Sequence, residues 1–154
     1  MHAAMMRIGL MLMALAPVLL GGCNKAMAIA KGQAPVVAGT LEGGPWLVED
    51  LNGGGIMDNA RVDLTFDPGD QGTSVVIGRS GCNRYRGAWQ QDGATLKLGP
   101  LASTMMACTP ALMDLERKFL GTLEAVRTVT YDETGAAMLK APDGRIMKIR
   151  RETR

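Results

Sequence analysis

Turn-forming glycines constrain the fold of this chain more than any other feature of its sequence. The 154 residues include 20 glycines, and many of those beyond residue 40 stand between short apolar or alternating runs. Glycine reaches left-handed backbone conformations without steric cost, so it is typical of tight turns. A chain interrupted this often has room for short strands and few helices, and the pattern predicts a β-rich fold.

Eight runs have the alternating or β-branched character of short strands. They are residues 46–51, 61–66, 74–78, 87–91, 95–98, 128–131, 137–140 and 145–150. Turn residues separate them, as in Asn52-Gly53-Gly54-Gly55, Asp67-Pro68-Gly69-Asp70 and Pro142-Asp143-Gly144. Such Gly-, Asn- and Asp-containing stretches favour reversals of the chain, and the segment around Gln91-Asp92-Gly93 predicts a hairpin.

One segment, between the fifth and sixth predicted strands, has the periodicity of an amphipathic helix. Thr109 is a suitable N-cap, and Pro110 suits the first helical position, where its missing N–H is not needed. The apolar side chains at helical spacing are Leu112, Leu115, Phe119, Leu120, Leu123 and Val126. We expect this stripe to pack on a sheet, with a partner helix as the alternative. Because no βαβ alternation occurs, an α+β fold with an antiparallel sheet around one helix is predicted.

The N-terminal residues have the pattern of an export signal. A short, weakly positive start ends at Arg7, and residues 8–20 are apolar without a break. Such a segment extends only about 20 Å as a helix, whereas the hydrocarbon core of a membrane is ~30 Å thick. The pattern therefore predicts that residues 1–22 are a signal peptide, and a buried core helix is the alternative.

The end of the apolar run resembles the lipobox of bacterial lipoproteins. Leu20-Gly21-Gly22-Cys23 supplies a leucine, two small residues and the cysteine that would carry lipid. The resemblance implies cleavage before Cys23 and attachment by two or three acyl chains, which anchor more stably than one. An ordinary signal peptide with an incidental cysteine is the alternative. Asn24 stands where an aspartate tends to retain lipoproteins in the inner membrane, which implies an outer-membrane location facing the periplasm.

The mature chain divides into a tether and one domain. Residues 23–40 are small and alanine-rich without periodicity, and they are predicted to form a flexible tether. Residues 41–150 hold the predicted strands and helix and suffice for one modest core. Within them, Cys82 and Cys108 are an even pair, for which a disulfide is the default in an exported protein. A reactive or redox-active thiol pair is the alternative.

The residue inventory argues against an enzyme. The sole histidine is His2, inside the predicted signal peptide, so the mature chain has no imidazole for Ser-His or Cys-His catalysis or for His-based zinc sites. Gly78-Arg79-Ser80-Gly81 lacks the last glycine of a nucleophile elbow, and Gly53-Gly54-Gly55 lacks the Lys-Ser or Lys-Thr of a phosphate loop. Asp67 and Asp70 offer too few oxygens for calcium. We expect no catalytic residue, metal or cofactor.

Two stretches of the predicted domain resemble the signatures of the META domain, also called the HslJ-like domain. Residues 80–87 (SGCNRYRG) resemble its GCN-x-(Y/F)-x-G motif, and residues 96–108 (LKLGPLASTMMAC) are similar to its second motif, which ends in T-x-M-A-C. Matches to its opening strand and helix are Trp46, Met113, Glu116 and Phe119-Leu120. The resemblance spans most of residues 41–150 and implies a partly open, barrel-like sheet packed on one helix.

The motif residues have physical roles of their own. We expect Gly81 and Gly87 to adopt backbone conformations closed to other residues, and Asn83 and Thr104 to hydrogen-bond neighbouring backbone. These roles make the two motifs loops stitched by a disulfide, and a ligand site is the alternative.

Glu116 is the exception among the motif residues, because it lies near the apolar side of the predicted helix. We expect its carboxylate to pair with Arg84 or Arg86 from the first motif.

The resemblance also carries expectations about function. META-domain proteins are envelope or secreted proteins, often lipoproteins, and some are linked to heat shock, antibiotic tolerance or motility, without an established catalytic activity. We therefore expect a non-enzymatic, stress-related binding module attached to a membrane. A lipid-binding pilotin or chaperone for outer-membrane components, or a periplasmic inhibitor of lysozyme type, are alternatives. The formal net charge of +2 argues against nucleic acid as a partner, and the protein or lipid ligand stays open.

Overall fold

The computed structural model describes residues 39–69 and 74–153 of the chain. Cys23, the predicted signal peptide and nearly all of the predicted tether lie outside these residues. The secondary-structure elements are β1 (Gly43–Leu51), β2 (Val62–Asp67), β3 (Val75–Ser80), β4 (Arg84–Asp92), β5 (Thr95–Leu98), β6 (Ala102–Ser103), α1 (Pro110–Ala125), β7 (Thr128–Tyr131), β8 (Ala137–Lys140) and β9 (Ile146–Arg151).

Eight of the strands form a closed antiparallel barrel. They pair around the ring in the order β1-β2-β3-β4-β5-β7-β8-β9, and β9 pairs back with β1. Short β6 pairs with the first half of β4, on the edge where β5 takes over further along. The predicted α+β class, with an antiparallel barrel-like sheet and one helix, is confirmed, and the sheet that was expected to be partly open is closed. Together with the pairing of β9 with β1, the pairings of β3 with β4 and of β5 with β7 make the ring of strands continuous.

The join between β5 and β7 is the narrowest of these pairings. It has one registered pair within the described residues, Thr95 with Thr128. Two backbone hydrogen bonds hold it, from the Leu96 N–H to the Arg127 carbonyl at 2.9 Å and from the Val129 N–H to the Ala94 carbonyl at 2.8 Å. The sheet is therefore continuous here, but over a much shorter length than between β3 and β4.

Side chains that alternate along the strands fill the barrel. In β4, Tyr85, Gly87 and Trp89 are buried, whereas the residues between them are exposed, as expected where successive side chains point to opposite faces of a sheet. Trp89 packs edge-on against Phe66 of β2, with 5.1 Å between ring centroids. Fully buried neighbours are Leu64, Val76, Leu96, Leu139, Met147 and Ile149.

Helix α1 covers one end of the barrel, and its predicted apolar stripe packs there. Leu115, Phe119 and Leu123 are buried, and the Phe119 ring lies 5.3 Å from the Tyr85 ring inside the barrel. At the same end of the barrel, the side-chain amide of Asn52 donates a hydrogen bond from Nδ2 to Thr122 Oγ1 at 3.2 Å. Asn52 directly follows β1. These contacts bury the stripe within the domain, so it is not a surface for a partner helix.

The strand predictions differ from the structure at several places: β1 begins three residues before its predicted start, β3 extends two residues past its predicted end, and β2 and β9 are shifted by one residue. Strand β4 begins at Arg84, three residues before its predicted start, because two exposed arginines hide the inward-facing Tyr85 in the sequence pattern. Strand β6 has only two residues, too few to show any periodicity. No helix within the described residues is long and apolar enough to cross a membrane.

Candidate functional site

The two sequence motifs meet at a disulfide. Cys82 lies in the turn between β3 and β4, and Cys108 lies two residues before α1. Their sulfur atoms are bonded, with 6.0 Å between the Cα atoms. The predicted disulfide is confirmed, and it leaves neither cysteine as a free thiol. We call the cluster formed here by Ser80, Cys82, Asn83, Thr104, Cys108 and Glu116 the motif junction.

Asn83 links the two motif loops through its side-chain amide. The amide oxygen accepts hydrogen bonds from Thr104 Oγ1 and from the Met106 backbone N–H, both at 2.8 Å. The amide nitrogen donates to Glu116 Oε1 at 3.0 Å. Thr104 Oγ1 in turn accepts from the Arg84 backbone N–H at 3.2 Å. Because Asn83 is only 4% exposed, these bonds satisfy an amide that burial would otherwise penalise.

Glu116 of α1 is bound to the turn before β4, and its expected pairing with Arg84 or Arg86 is wrong. Its Oε2 atom accepts from Ser80 Oγ at 2.5 Å and from the Asn83 backbone N–H at 2.8 Å. Arg84 and Arg86 are exposed residues of β4, on the face opposite inward-pointing Tyr85. Strand alternation therefore directs both guanidinium groups away from the helix.

The two motif glycines are needed for different reasons. Gly81 has φ +98°, a left-handed conformation that favours glycine, and a Cβ atom there would lie 3.2 Å from Leu115 Cδ2. Gly87 is not in the left-handed region, which corrects the prediction for that residue. A Cβ atom at Gly87 would lie 2.5 Å from Leu101 Cδ2. The Pro100 carbonyl oxygen would lie 3.1 Å away, so close packing, and not backbone conformation, favours glycine at position 87.

A second close approach, which the sequence did not reveal, lies beside the motif junction. Tyr85 Oη donates to the Asp63 backbone carbonyl at 2.9 Å. Gly78 leaves room for this bond, because a Cβ atom there would lie 1.9 Å from the Asp63 oxygen. Burial, with a smaller contribution from the Asp63 charge, raises the pKa of Tyr85 well above its ordinary value. The tyrosine thus stays protonated and acts as a donor inside the barrel.

The outer face of β2, β3, β4 and β6 carries an open groove of about 540 Å³. We call it the outer groove, and its lining residues are Thr65, Ile77, Gly78, Arg79, Arg84, Tyr85, Arg86, Ala102, Ser103 and Thr104. Three of these are arginines and none is a carboxylate. Arg79 lies directly opposite Arg84 in the β3–β4 register, and Ile77 lies opposite Arg86.

The arginines of the outer groove differ from most others in the domain. Arg61, Arg117, Arg145 and Arg150 form ion pairs with carboxylates, whereas Arg79, Arg84 and Arg86 form none within the described residues. Like charges on facing strand positions repel each other. In the sequence, Arg84 and Arg86 flank Tyr85, and this alternation is the only signal that two arginines of the groove share one face of β4.

The described residues contain no group of three or more His, Cys, Asp or Glu side chains placed to hold a metal ion. The polar side chains of the motif junction are bonded to one another and to backbone. The outer groove, in contrast, is open to solvent and carries three arginines without an ion pair within the described residues.

Comparison with known families gives a match over the whole described domain. Residues 39–153 match the model of the META domain. The chain belongs to the META domain family. A search of curated proteins finds no match.

Two solved structures share the META-domain fold seen here. An NMR structure of a protein from Burkholderia xenovorans is similar with a TM-score of 0.63 at 23% identity, over 81% of this chain and 96% of that chain. A further NMR structure has a TM-score of 0.51 at 22% identity, over 70% of this chain and 89% of that chain. At these identities the likeness concerns the fold alone. In this META domain, the motif junction ties the β3–β4 turn to the start of α1.

Proposed function

We propose that this META-domain protein is a non-enzymatic lipoprotein of the bacterial envelope, and that its domain binds a partner through the outer groove. The observation that carries the proposal is the set of three neighbouring arginines without an ion pair or a lining carboxylate. The repulsion between these three like charges is unfavourable in the isolated domain. An anionic partner would remove it, because complementary charge gives both specificity and fast association.

The motif junction supports a structural role for the motif residues. Glu116 accepts three hydrogen bonds, and both domain cysteines are in a disulfide. A carboxylate or thiol that does chemistry must reach a substrate, whereas these groups are engaged with their own chain. The side chains that resemble catalytic types therefore serve the fold under this proposal.

Packing between α1 and the barrel favours a surface site over an internal lipid site. Leu115, Phe119 and Leu123 fill the space between the helix and the sheet, and Phe119 contacts Tyr85 inside the barrel. A pilotin-like carrier would need an apolar cleft at this place. We therefore place binding on the outer face, with membership of the META family supporting a role in heat shock or antibiotic tolerance.

The anchor is tested by metabolic labelling with a clickable fatty acid in a Gram-negative host. The full chain should carry the label and fractionate with the outer membrane, and C23S should lose the label. C82A/C108A is the matched control, since it removes the other two cysteines and should still be labelled. Absence of label from the natural chain, or its persistence in C23S, would refute lipidation at Cys23.

The binding role is tested by complementation of a deletion strain under heat or antibiotic stress. R79Q/R84Q/R86Q should fail to restore tolerance. K97Q/R117Q/K140Q removes the same charge at exposed positions outside the outer groove and should restore it. Equal restoration by both variants would contradict the assignment of binding to the groove. A turnover activity of the pure protein that one carboxylate substitution abolishes would contradict the non-enzymatic part.

A further inference from the structure

We propose that the outer groove binds the phosphate groups of anionic membrane lipids and seats the domain on a lipid surface. This inference rests on the proposed function, since it names the partner of the same groove. Its observations are the geometry of the three arginines, the apolar residues beside them and the reach of the chain from Cys23.

The arginines are placed to act together on an anion. Arg79 and Arg84 are directly opposite on neighbouring strands, where Cβ atoms lie about 5 Å apart. Arg86 is two residues along the same face of β4, or about 7 Å from Arg84. Guanidinium groups present planar forks of donors that match phosphate oxygens. One or two lipid phosphates therefore fit within reach of all three side chains.

The carboxylate that lies opposite Arg79 in the sheet is already engaged elsewhere. Asp63 lies opposite Arg79 in the β2–β3 register, but it is 8% exposed. Its Oδ2 atom accepts from Arg61 Nε at 2.6 Å, and its Oδ1 atom accepts from the Arg79 backbone N–H at 3.0 Å. The guanidinium group of Arg79 is thus left without an ion-pair partner, and its charge remains available to a ligand.

Apolar residues beside the groove favour a lipid surface over an acidic polypeptide. Ile77 lines the groove and is 42% exposed, while Met105 and Met106, which follow the lining residue Thr104, are 97% and 57% exposed. Cationic side chains next to exposed large apolar ones are typical of surfaces that bind the membrane interface. An acidic peptide would match the charges but would leave these apolar side chains without a role.

The distance along the chain from Cys23 permits this contact. Sixteen residue steps separate Cys23 from Gly39, and a fully extended chain of that length spans at most about 55 Å. The longest strands have nine residues and extend about 30 Å. An anchored domain can therefore turn the groove toward the same membrane. Because the anchor raises the local lipid concentration, a low affinity of the groove for lipid suffices.

The test measures binding of the acyl-free chain from Asn24 onward, which keeps the whole described core. Flotation compares phosphatidylcholine vesicles with vesicles that contain roughly one-third phosphatidylglycerol, at low salt. We expect partition to the anionic vesicles only. A surface cation contributes about fivefold to such a partition coefficient, so R79Q/R84Q/R86Q should bind about a hundredfold more weakly. K97Q/R117Q/K140Q should stay within about threefold of the natural chain, because these positions lie away from the proposed contact.

Two further variants keep the test decisive if the triple glutamine variant does not fold. R79K/R84K/R86K keeps the charge and should retain most of the binding, although lysine lacks the planar fork. R86Q alone should bind about fivefold more weakly. The mass of the oxidised Cys82–Cys108 form and the thermal unfolding midpoint report whether each variant is folded.

Four outcomes would overturn the inference. Equal partition to both vesicle types would show that the groove does not recognise anionic lipid. Equal loss of vesicle binding in the groove and control variants would show the same. Displacement by inorganic phosphate at matched ionic strength would assign the groove to a free anion. Tighter binding to polyglutamate than to vesicles would assign it to an acidic polypeptide. That last result would leave the groove as a binding surface, and fatty-acid labelling tests the anchor separately.

Discussion

Asn83 donates two hydrogen bonds to the carboxylate of Glu116, one to each oxygen. Its backbone N–H reaches Oε2 at 2.8 Å and its amide nitrogen reaches Oε1 at 3.0 Å. Ser80 Oγ adds a third donor at Oε2. This pairing sets the rotation of α1 relative to the β3–β4 turn, so two residues from different motifs determine how the helix sits on the end of the barrel.

Replacement of Glu116 by glutamine should destabilise the domain by about 2 kcal/mol. The amide group of glutamine places a donor where one carboxylate oxygen now accepts, so at least one of the three hydrogen bonds to a charged acceptor is lost. Urea unfolding followed by circular dichroism gives the free energy. E124Q is the matched control, because Glu124 is an exposed residue of the same helix and should change stability by less than about 0.5 kcal/mol. Equal midpoints for the two variants would refute the role of Glu116.

Reduction of the Cys82–Cys108 disulfide should lower the free energy of unfolding by about 3.5 kcal/mol. The cysteines are 26 positions apart, and the cross-link removes loop-closure entropy from the unfolded chain. C82A/C108A should show nearly the same loss under oxidising conditions and no additional loss with a reductant. An unchanged urea midpoint after complete reduction, verified by mass, would contradict this account.

Gly78→Ala should be strongly destabilising, by about 3 kcal/mol or more. The added methyl group would lie 1.9 Å from the Asp63 carbonyl oxygen and 2.9 Å from Tyr85 Oη, so either the strand pairing or the tyrosine hydrogen bond must give way. Gly121→Ala provides the opposite control. Its nearest contact is a side-chain atom of Arg145 at 3.7 Å, and alanine should stabilise the interior of α1 by about 0.5–1 kcal/mol. Thermal unfolding midpoints that shift the same way in both variants would contradict the packing argument.

Local sequence signals were sufficient for most of the fold. Strands β5, β7 and β8 coincide with their predicted runs, and α1 begins at Pro110 after Thr109 as expected. Each of these elements carries its own periodicity and its own turn residues, so no long-range information is needed. Thr109 stands at the predicted N-cap position, but its side chain forms no capping hydrogen bond. The disulfide follows from the even pair of cysteines in the domain of a chain whose sequence predicts export.

The features that sequence reasoning missed depend on which face a residue occupies in the closed sheet. Charge alone predicts an ion pair between Glu116 and an arginine. The closed barrel instead points Arg84 outward and brings Ser80 and Asn83 within hydrogen-bond distance of Glu116. The reason for Gly87 was also missed, since only the folded chain places Leu101 against it. For the same reason the outer groove joins Arg79 to Arg86 through strand register, which the sequence alone did not reveal.

Tyr85 should make the domain less stable in alkali. Its raised pKa, caused first by burial and then by the Asp63 charge, means that the folded chain keeps a proton which the unfolded chain loses above pH 10.0, the ordinary value for tyrosine. The contribution of Tyr85 to stability is therefore complete below that pH, and it is lost as the pH rises further.

The chain has two tyrosines, so Y131F leaves Tyr85 as the only source of phenolate absorbance. In this variant the absorbance should stay low near pH 10.0 and rise only together with the loss of circular dichroism. Y85F should remove the part of the alkaline decline that Tyr85 causes. A simple titration of Y131F centred near the ordinary value, with an unchanged dichroism spectrum, would show that Tyr85 is open to solvent and that its bond to Asp63 does not hold it inside the barrel.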